Sequence, residues 1–80
     1  MFTVYLLRSI SHPDQRYIGI TEDLDSRLDA HNRGQSPHTA KFKPWEIVVA
    51  VNLSDEARAR EFEKYLKSGS GRAFANRHLW

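Results

Sequence analysis

An arginine and a histidine, Arg27 and His31, lie four residues apart in a segment where Leu24 and Leu28 have the spacing of a buried helix face. Both polar side chains lie close to that apolar stripe, where they are costly unless something pairs with them. In one interpretation, the stem of Arg27 covers apolar surface while its charged head reaches water. In the other, the pair faces a groove and binds a phosphate, because guanidinium binds phosphate in a bidentate way and histidine moves protons near neutral pH.

A carboxylate further along the chain, Glu63, lies at the edge of an apolar stripe that contains Phe62 and Leu66. Lys67 follows four residues later and is the obvious ion-pair partner on a helix. The alternative is a metal ligand, because Mg²⁺ keeps several of its waters and needs few protein ligands. The residues alone leave both interpretations open.

Two tyrosines, Tyr5 and Tyr17, fall on segments that we expect to pair as neighbouring strands, where cross-strand side chains share a face. Either they simply fill the sheet surface, or their phenols point at a water or a phosphate. A free phenolate is disfavoured at neutral pH, since the ordinary pKa of tyrosine is about 10. Arg27 or a nearby metal would have to lower that pKa, unless the tyrosine only orients the water.

Three segments have the β-branched and aromatic composition of strands, namely residues 2–8, 16–20 and 45–52. The first two are predicted to form a hairpin with its corner at Pro13-Asp14. Gly19 interrupts the second strand, and a strand glycine often marks a bulge or a close approach of a ligand or another backbone. The long apolar run of the third strand predicts a central position in the sheet.

Three further segments are predicted to be helical, namely residues 21–33, 54–67 and 72–77. Glu22 and Asp23 are placed in the first turn of the first helix, and Gly34 follows its end as a left-handed cap. Ser54 is the expected N-cap of the second helix, and residues 35–43 are expected to be a loop. The resulting order β-β-α-β-α-α predicts one small α/β (α+β) domain over residues 1–80, with a three-stranded antiparallel-type sheet flanked by helices.

The composition excludes several classes of site. The sequence has no cysteine, which excludes disulfides, thiolate metal ligands and cysteine nucleophiles. No apolar stretch approaches the length of a membrane span, and Met1 to Arg8 is too short for a signal peptide. We therefore expect a soluble, cytoplasmic protein without a membrane partner. Its net charge of +2 is uninformative, but the basic C-terminal third could meet a phosphate backbone or form a solvated helix face.

Several motifs together resemble one family. Val4-Tyr5-Leu6 followed by Tyr17-Ile18-Gly19 resembles the paired motif that names the GIY-YIG nucleases, although the first motif lacks its glycine. The rest of the chain is similar to later family motifs: Thr21, Asp23-Leu24, Arg27-Leu28, His31-Asn32 and Gly34 in the first helix, then Ser36, Thr39 and Pro44-Trp45, then Glu63 with Leu66-Lys67. Lys67 to Phe74 resembles the tail of small stand-alone bacterial members. The resemblance covers essentially the whole chain.

The resemblance implies a metal-dependent endonuclease that hydrolyses phosphodiester bonds. Glu63 would hold a single Mg²⁺ or Mn²⁺, and Arg27 would steady the phosphate charge. Either Tyr5 or Tyr17 would activate the water, with His31 as a proton acceptor. Substrate contacts would come from the remaining motif positions, namely Gly19, Thr21, Lys67, Arg72 and Asn76.

The implied substrate is DNA. Because no specificity domain is attached to the predicted domain, structure-selective cutting is expected rather than sequence-specific cutting, together with a homodimer or a partner protein that supplies specificity. Two alternatives remain open. The chain could be a nucleic-acid-binding module with little or no catalysis, whose binding would fall steeply with salt. It could also be a nuclease subunit that needs a partner protein for activity.

Overall fold

A three-stranded antiparallel sheet forms the centre of the computed structural model, which describes residues 1–80. Its strands are β1 (Phe2–Ser9), β2 (Arg16–Thr21) and β3 (Trp45–Leu53). The spatial order is β2-β1-β3, so β1 pairs with both neighbours. The predicted hairpin is confirmed, and its turn contains Pro13 and Asp14.

Four helices complete the fold: α1 (Leu24–Asn32), α2 (Pro37–Ala40), α3 (Glu56–Leu66) and α4 (Gly69–His78). The predicted α/β class and element order are confirmed, with α2 as an extra short helix inside the segment expected to be a loop. None of these helices has both the length and the apolar character needed to cross a membrane.

The predicted central position of β3 is wrong, because β3 lies at one edge and β1 is the middle strand. Val4 to Leu7 of β1 are fully buried, whereas Ile47 and Ala50 of β3 are exposed. A bulge also interrupts the β1–β3 pairing, since Leu6 lies opposite Val49 and Leu7 opposite Ile47. Both strands carry continuous apolar runs, and such runs do not reveal which strand is in the middle.

Three predicted helix starts need correction. Helix α1 starts at Leu24 and its N-cap is Asp23, whose carboxylate accepts a hydrogen bond from the amide of Ser26. Glu22 therefore lies before the helix, not in its first turn. The N-cap of α3 is Asp55 rather than Ser54. In each case the carboxylate nearer the helix takes the capping role, since Asp satisfies the free amides of a first turn as well as Ser does.

The last helix starts earlier than predicted, at Gly69 instead of Arg72. Ser68 is its N-cap and accepts a hydrogen bond from the amide of Gly71. Two glycines in the first turn disfavour a helix by propensity, so the side-chain cap and packing on α3 outweigh that preference. The predicted left-handed cap after α1 is confirmed, with φ of +77° at Gly34.

Helices cover both faces of the sheet. On one face, Val4 and Leu6 pack against Ala59 and Leu66 of α3 and Ala75 of α4. On the other face, buried side chains from the sheet pack against α1 and the segment after it; they are Tyr5, Leu7 and Trp45, with Tyr17, Leu24, Leu28 and Phe42 around them. The alternation of β1 side chains thus assigns Tyr5 to the α1 face and its neighbours to the α3–α4 face.

Trp45 fixes the segment between α1 and β3. Its backbone amide donates to the side-chain oxygen of Asn32 over 2.6 Å, and its carbonyl accepts from the Asn32 amide group over 3.2 Å. Its indole N–H donates to the carbonyl of Thr39 over 2.9 Å. Because Trp45 is buried, these three bonds hold Thr39 of α2 in a defined place against the end of α1.

Gly19 lies directly opposite Tyr5 in the β1–β2 pairing. A Cβ atom at Gly19 would be 2.5 Å from the Tyr5 hydroxyl oxygen and 2.9 Å from Cε2 of Tyr17. The two tyrosine rings therefore occupy the space that a side chain would need. The close approach predicted for this glycine is made by Tyr5 and Tyr17 of the protein itself.

We expect Gly19→Ala to lower the free energy of unfolding by about 1–3 kcal/mol, because the added methyl displaces a buried ring. Urea titration followed by circular dichroism measures this change. Gly69→Ala is a matched control, since a Cβ there meets nothing within 4 Å, and it should be neutral or stabilise by about 0.4–1 kcal/mol. Equal unfolding midpoints for both variants would contradict the assignment of this space to the tyrosine rings.

Candidate functional site

Tyr5 and His31 form a buried hydrogen bond between β1 and α1. The Tyr5 oxygen and the His31 Nε2 atom are 3.1 Å apart, and each residue is only 1% exposed. The other ring nitrogen, Nδ1, lies 2.8 Å from the hydroxyl oxygen of Thr39. Both imidazole nitrogens are therefore satisfied inside the protein, as burial of a polar ring requires.

The direction of these bonds follows from Thr39, which donates its hydroxyl proton to the carbonyl of Ser36 over 3.4 Å. The Thr39 oxygen then accepts from Nδ1–H of His31, and Nε2 is left to accept the proton of the Tyr5 hydroxyl. We assign this tautomer on the hydrogen-bond pattern. It leaves the lone pair of Nε2 facing a phenol.

Burial lowers the pKa of His31 below its ordinary value, and the positive charge of Arg27 lowers it further. The imidazole is therefore neutral at neutral pH and able to accept a proton. Burial also raises the pKa of the Tyr5 phenol, although the guanidinium of Arg27 acts in the opposite direction. Arg27 thus does not lower the pKa of Tyr5 enough to produce a free phenolate.

Tyr17 and Arg27 border this pair on its exposed side. The Tyr17 ring lies edge-on to His31, with centroids 4.8 Å apart, and 6.1 Å from the Tyr5 ring. Interaction with the Tyr5 hydroxyl is the main cause that raises the pKa of Arg27 above its ordinary value, and Tyr17 adds to it. Because Arg27 is exposed, its guanidinium combines contact with the phenols and access to solvent. The four side chains from β1, β2 and α1 form one cluster.

Glu63 lies on the opposite face of the sheet, on α3. Its side chain is 22% exposed and accepts a hydrogen bond from the ammonium group of Lys67 over 3.1 Å, which is the predicted ion pair. Arg60, Glu63 and Lys67 share one stripe of α3 by helical spacing. Arg60 borders a cavity with Ile20 of β2, while Lys67 borders another with residues of the same strand. Glu63 therefore lies on the stripe that follows the free edge of β2.

The larger of these cavities has a volume of about 450 Å³. It brings together the predicted substrate contacts Lys67, Arg72 and Asn76. The other residues that line it are Arg16, Tyr17, Ile18, His38, Leu66 and Trp80. Tyr17 thus belongs both to this cavity and to the cluster around His31.

Two predicted substrate contacts have local structural roles. Gly19 makes room for the tyrosine rings. The hydroxyl of Thr21 accepts a hydrogen bond from the amide of Asp23 over 3.1 Å and so orders the start of α1. Thr21 lines the smaller cavity, of about 160 Å³, beside Glu22 and Glu56, apart from Lys67, Arg72 and Asn76.

The carboxylate of Glu63 is the ligand that the family resemblance assigns to a metal ion. No group of three or more His, Cys, Asp or Glu side chains comes together in this structure, which does not match a zinc or calcium cage. Glu63 accepts a single hydrogen bond, from Lys67 to Oε2, and its other carboxylate oxygen is available. One carboxylate beside a phosphate and water is the arrangement that suits Mg²⁺ or Mn²⁺.

Sequence reasoning missed the roles of three residues in this region: Thr39, Arg16 and Trp80. Thr39 belongs to one of the family motifs, but nothing in the sequence shows that it holds the His31 ring. Arg16 and Trp80 are far apart in the chain, and their contact depends on how α4 packs beside β2. The sequence carries no local signal for either contact.

Comparison with known proteins identifies the family to which the chain is similar. Residues 1–77 match the GIY-YIG catalytic domain. Three fungal relatives carry the name structure-specific endonuclease subunit SLX1. The protein of Debaryomyces hansenii is 38% identical over 73 residues, which cover 82% of this chain and 21% of the relative.

The two other relatives extend this pattern. The Candida dubliniensis protein is 35% identical over 85 aligned positions, covering 98% of this chain and 28% of the relative. The Talaromyces marneffei protein is 34% identical over 68 residues, covering 78% and 18%. This chain therefore spans less than a third of each of these relatives. The match to the catalytic domain, however, covers nearly all of the chain, and this chain belongs to the GIY-YIG family.

Proposed function

We propose that this domain is a divalent-metal-dependent endonuclease that hydrolyses phosphodiester bonds in DNA and prefers branched structures. The observation that carries the proposal is the buried hydrogen bond from Tyr5 to a neutral His31, with Arg27 beside it. Preference for branched DNA is supported by the relatives, which are named structure-specific endonuclease subunits.

Tyr5 and His31 can accept the proton of the attacking water without forming a free phenolate. As the Tyr5 oxygen takes a proton from the water, its own proton moves to Nε2 of His31, which is neutral and already hydrogen-bonded to it. Thr39 holds Nδ1 and so keeps Nε2 directed at the phenol. Positioned proton transfer of this kind contributes roughly 10²–10⁴-fold to a rate.

Arg27 and the cation held by Glu63 would stabilise the negative charge of the phosphate. The exposed guanidinium of Arg27 can bind a phosphate oxygen and stabilise the negative charge that grows during attack. The Glu63 carboxylate would hold Mg²⁺ or Mn²⁺, with Lys67 keeping it oriented. When bound, the cation supplies Lewis-acid polarisation of the phosphoryl oxygen.

We expect Glu63→Gln to abolish both Mn²⁺ binding and cleavage, because an amide is a poor ligand for a hard cation. Strand cleavage of duplex, single-stranded and branched DNA, with matched RNA substrates, measures activity, and titration calorimetry measures Mn²⁺ binding. The wild-type protein should cut branched DNA best. Glu61→Gln, an exposed change on the same helix, is the matched control and should behave as wild type.

Equal cleavage by the Glu63→Gln protein and the wild type would contradict the metal mechanism and indicate a contaminating nuclease. DNA binding without any cutting would favour the nucleic-acid-binding module instead. The cationic cavity gives that second function some support, since Arg16 and Arg72 do not contact Glu63.

The two tyrosines should differ in their effect on the rate. We expect Tyr5→Phe to lower kcat by about 100-fold or more, because it removes the hydroxyl bonded to His31. Tyr17→Phe should lower kcat by a smaller factor, since the Tyr17 phenol borders the cluster and only positions the water. Single-turnover cleavage kinetics measure both variants, and Tyr65→Phe, an exposed tyrosine of α3, is the control. A larger loss for Tyr17→Phe than for Tyr5→Phe would reverse these roles.

A partner protein is part of the proposal, because the relatives are named as subunits. A homodimer remains a separate prediction, and so does a cytoplasmic location. Sedimentation of the chain with and without branched DNA tests the dimer, since a monomer under both conditions removes it. The partner is proposed to supply specificity and not the active site, so cutting of branched DNA by the isolated chain would leave this part of the proposal standing.

A further inference from the structure

Arg16 is fixed in place by two residues of the α4 region. Its guanidinium carbon lies 4.7 Å from the centre of the Trp80 ring, which is a cation–π contact. One of its terminal nitrogens donates to the side-chain oxygen of Asn76 over 2.7 Å. Arginine has five N–H donors, so most of them stay available while the plane of the group is held.

The cavity beside Arg16 is cationic and contains no side-chain carboxylate among the residues that line it. Arg16 and Arg72 form no ion pair, whereas Lys67 is paired with Glu63 outside the cavity. The apolar part of the wall that a ligand can contact comes from Ile18 and Trp80. A site with excess positive charge and an apolar wall is suited to a ligand that has both a phosphate and a flat ring.

The size and position of the cavity restrict the kind of ligand that it can bind. A volume of about 450 Å³ is within the roughly 300–1,000 Å³ of pockets that hold small ligands. Paired bases stay stacked inside a duplex, so a duplex offers only phosphates to such a cavity, whereas an unpaired nucleotide can enter it. Tyr17 forms part of the wall and also borders the His31 cluster, so the nucleotide would lie next to the bond that is cut.

We propose that this cavity binds one unpaired nucleotide of the DNA strand beside the scissile phosphate, with the phosphate on Arg16 and Arg72 and the base against the apolar wall. The proposal rests on the proposed nuclease function and deepens it. It gives this single domain its own means of preferring branched DNA, because only a strand that leaves the duplex can fill the cavity.

Equilibrium binding without divalent cation tests this site separately from catalysis. Fluorescence anisotropy compares a duplex that carries a short single-stranded flap with the same duplex without the flap. For Arg16→Gln and Arg72→Gln we expect about tenfold weaker binding of the flap DNA and less than about twofold change for the plain duplex. Arg77 is an exposed arginine that lies on α4 with Arg72 but outside the cavity. Arg77→Gln should therefore leave both affinities unchanged.

A second measurement tests directly whether the unpaired nucleotide enters the cavity. The fluorescent base 2-aminopurine, introduced at the first unpaired position of the flap, should change intensity on binding to the wild type and not to Arg16→Gln. A cooperative thermal transition above the assay temperature confirms that each variant is folded, and Arg72→Gln removes no hydrogen bond or ion pair of the fold.

The outcomes separate the two proposals. If both variants weaken flap and duplex binding equally, or neither, the cavity does not select an unpaired nucleotide, and this inference is overturned while cleavage by the wild type still supports the nuclease. If the wild type cuts nothing but flap binding depends on Arg16 and Arg72, the nuclease fails and the nucleotide site stands. If no DNA is bound at all, both fall.

Discussion

The hydrogen bond between Tyr5 and His31 is the constraint on which the arrangement of the site depends. A buried imidazole is tolerated only when it stays neutral and both ring nitrogens have partners. Tyr5 satisfies one nitrogen and Thr39 the other. This single ring therefore joins the middle strand to α1 and α2, and the same burial that fixes it also lowers its pKa.

Neighbouring features make room for this bond and hold it. Gly19 leaves the space that the Tyr5 ring occupies. Asn32 holds the backbone of Trp45, and the indole of Trp45 holds the carbonyl of Thr39. A change at any of these positions would act on the His31 ring, so residues that look purely structural also help to position it.

The two sets of candidate site residues lie on opposite faces of the sheet. Tyr5, Tyr17, Arg27 and His31 lie on the α1 face, whereas Glu63 lies on α3 across the sheet. In the middle of a wide sheet these faces would be separated. Because β2 has no further neighbour, the proposed function requires the phosphate backbone to follow this edge and contact both sets.

The sequence predicted the elements well because their signals are local. The apolar and β-branched runs marked all three strands, and Gly34 marked the end of α1. Helix starts were displaced by one to three residues, since Asp23, Asp55 and Ser68 compete with neighbours of similar capping strength.

Features that depend on tertiary packing could not be predicted in the same way. The structure has β3 at the edge of the sheet. The sequence did not predict this, because an apolar run indicates that a strand is buried but not which strands pair with it. The spacing of Arg27 and His31 did indicate a shared helix face. It did not indicate that His31 would be buried while Arg27 stayed exposed, or that Arg16 would stack on Trp80.

We assign His31 as a neutral imidazole that accepts the proton of Tyr5 at Nε2, and the proposed proton transfer depends on this assignment. Long-range ¹H–¹⁵N correlation spectra of the imidazole nitrogens, recorded across a pH titration, measure both the tautomer and the pKa. We expect the Nδ1–H tautomer at neutral pH and a pKa below 6.5, the ordinary value for histidine. Because the unfolded chain would take up that proton first, stability should fall as the pH drops below 6.5. An Nε2–H tautomer, or an imidazolium at neutral pH, would contradict the account.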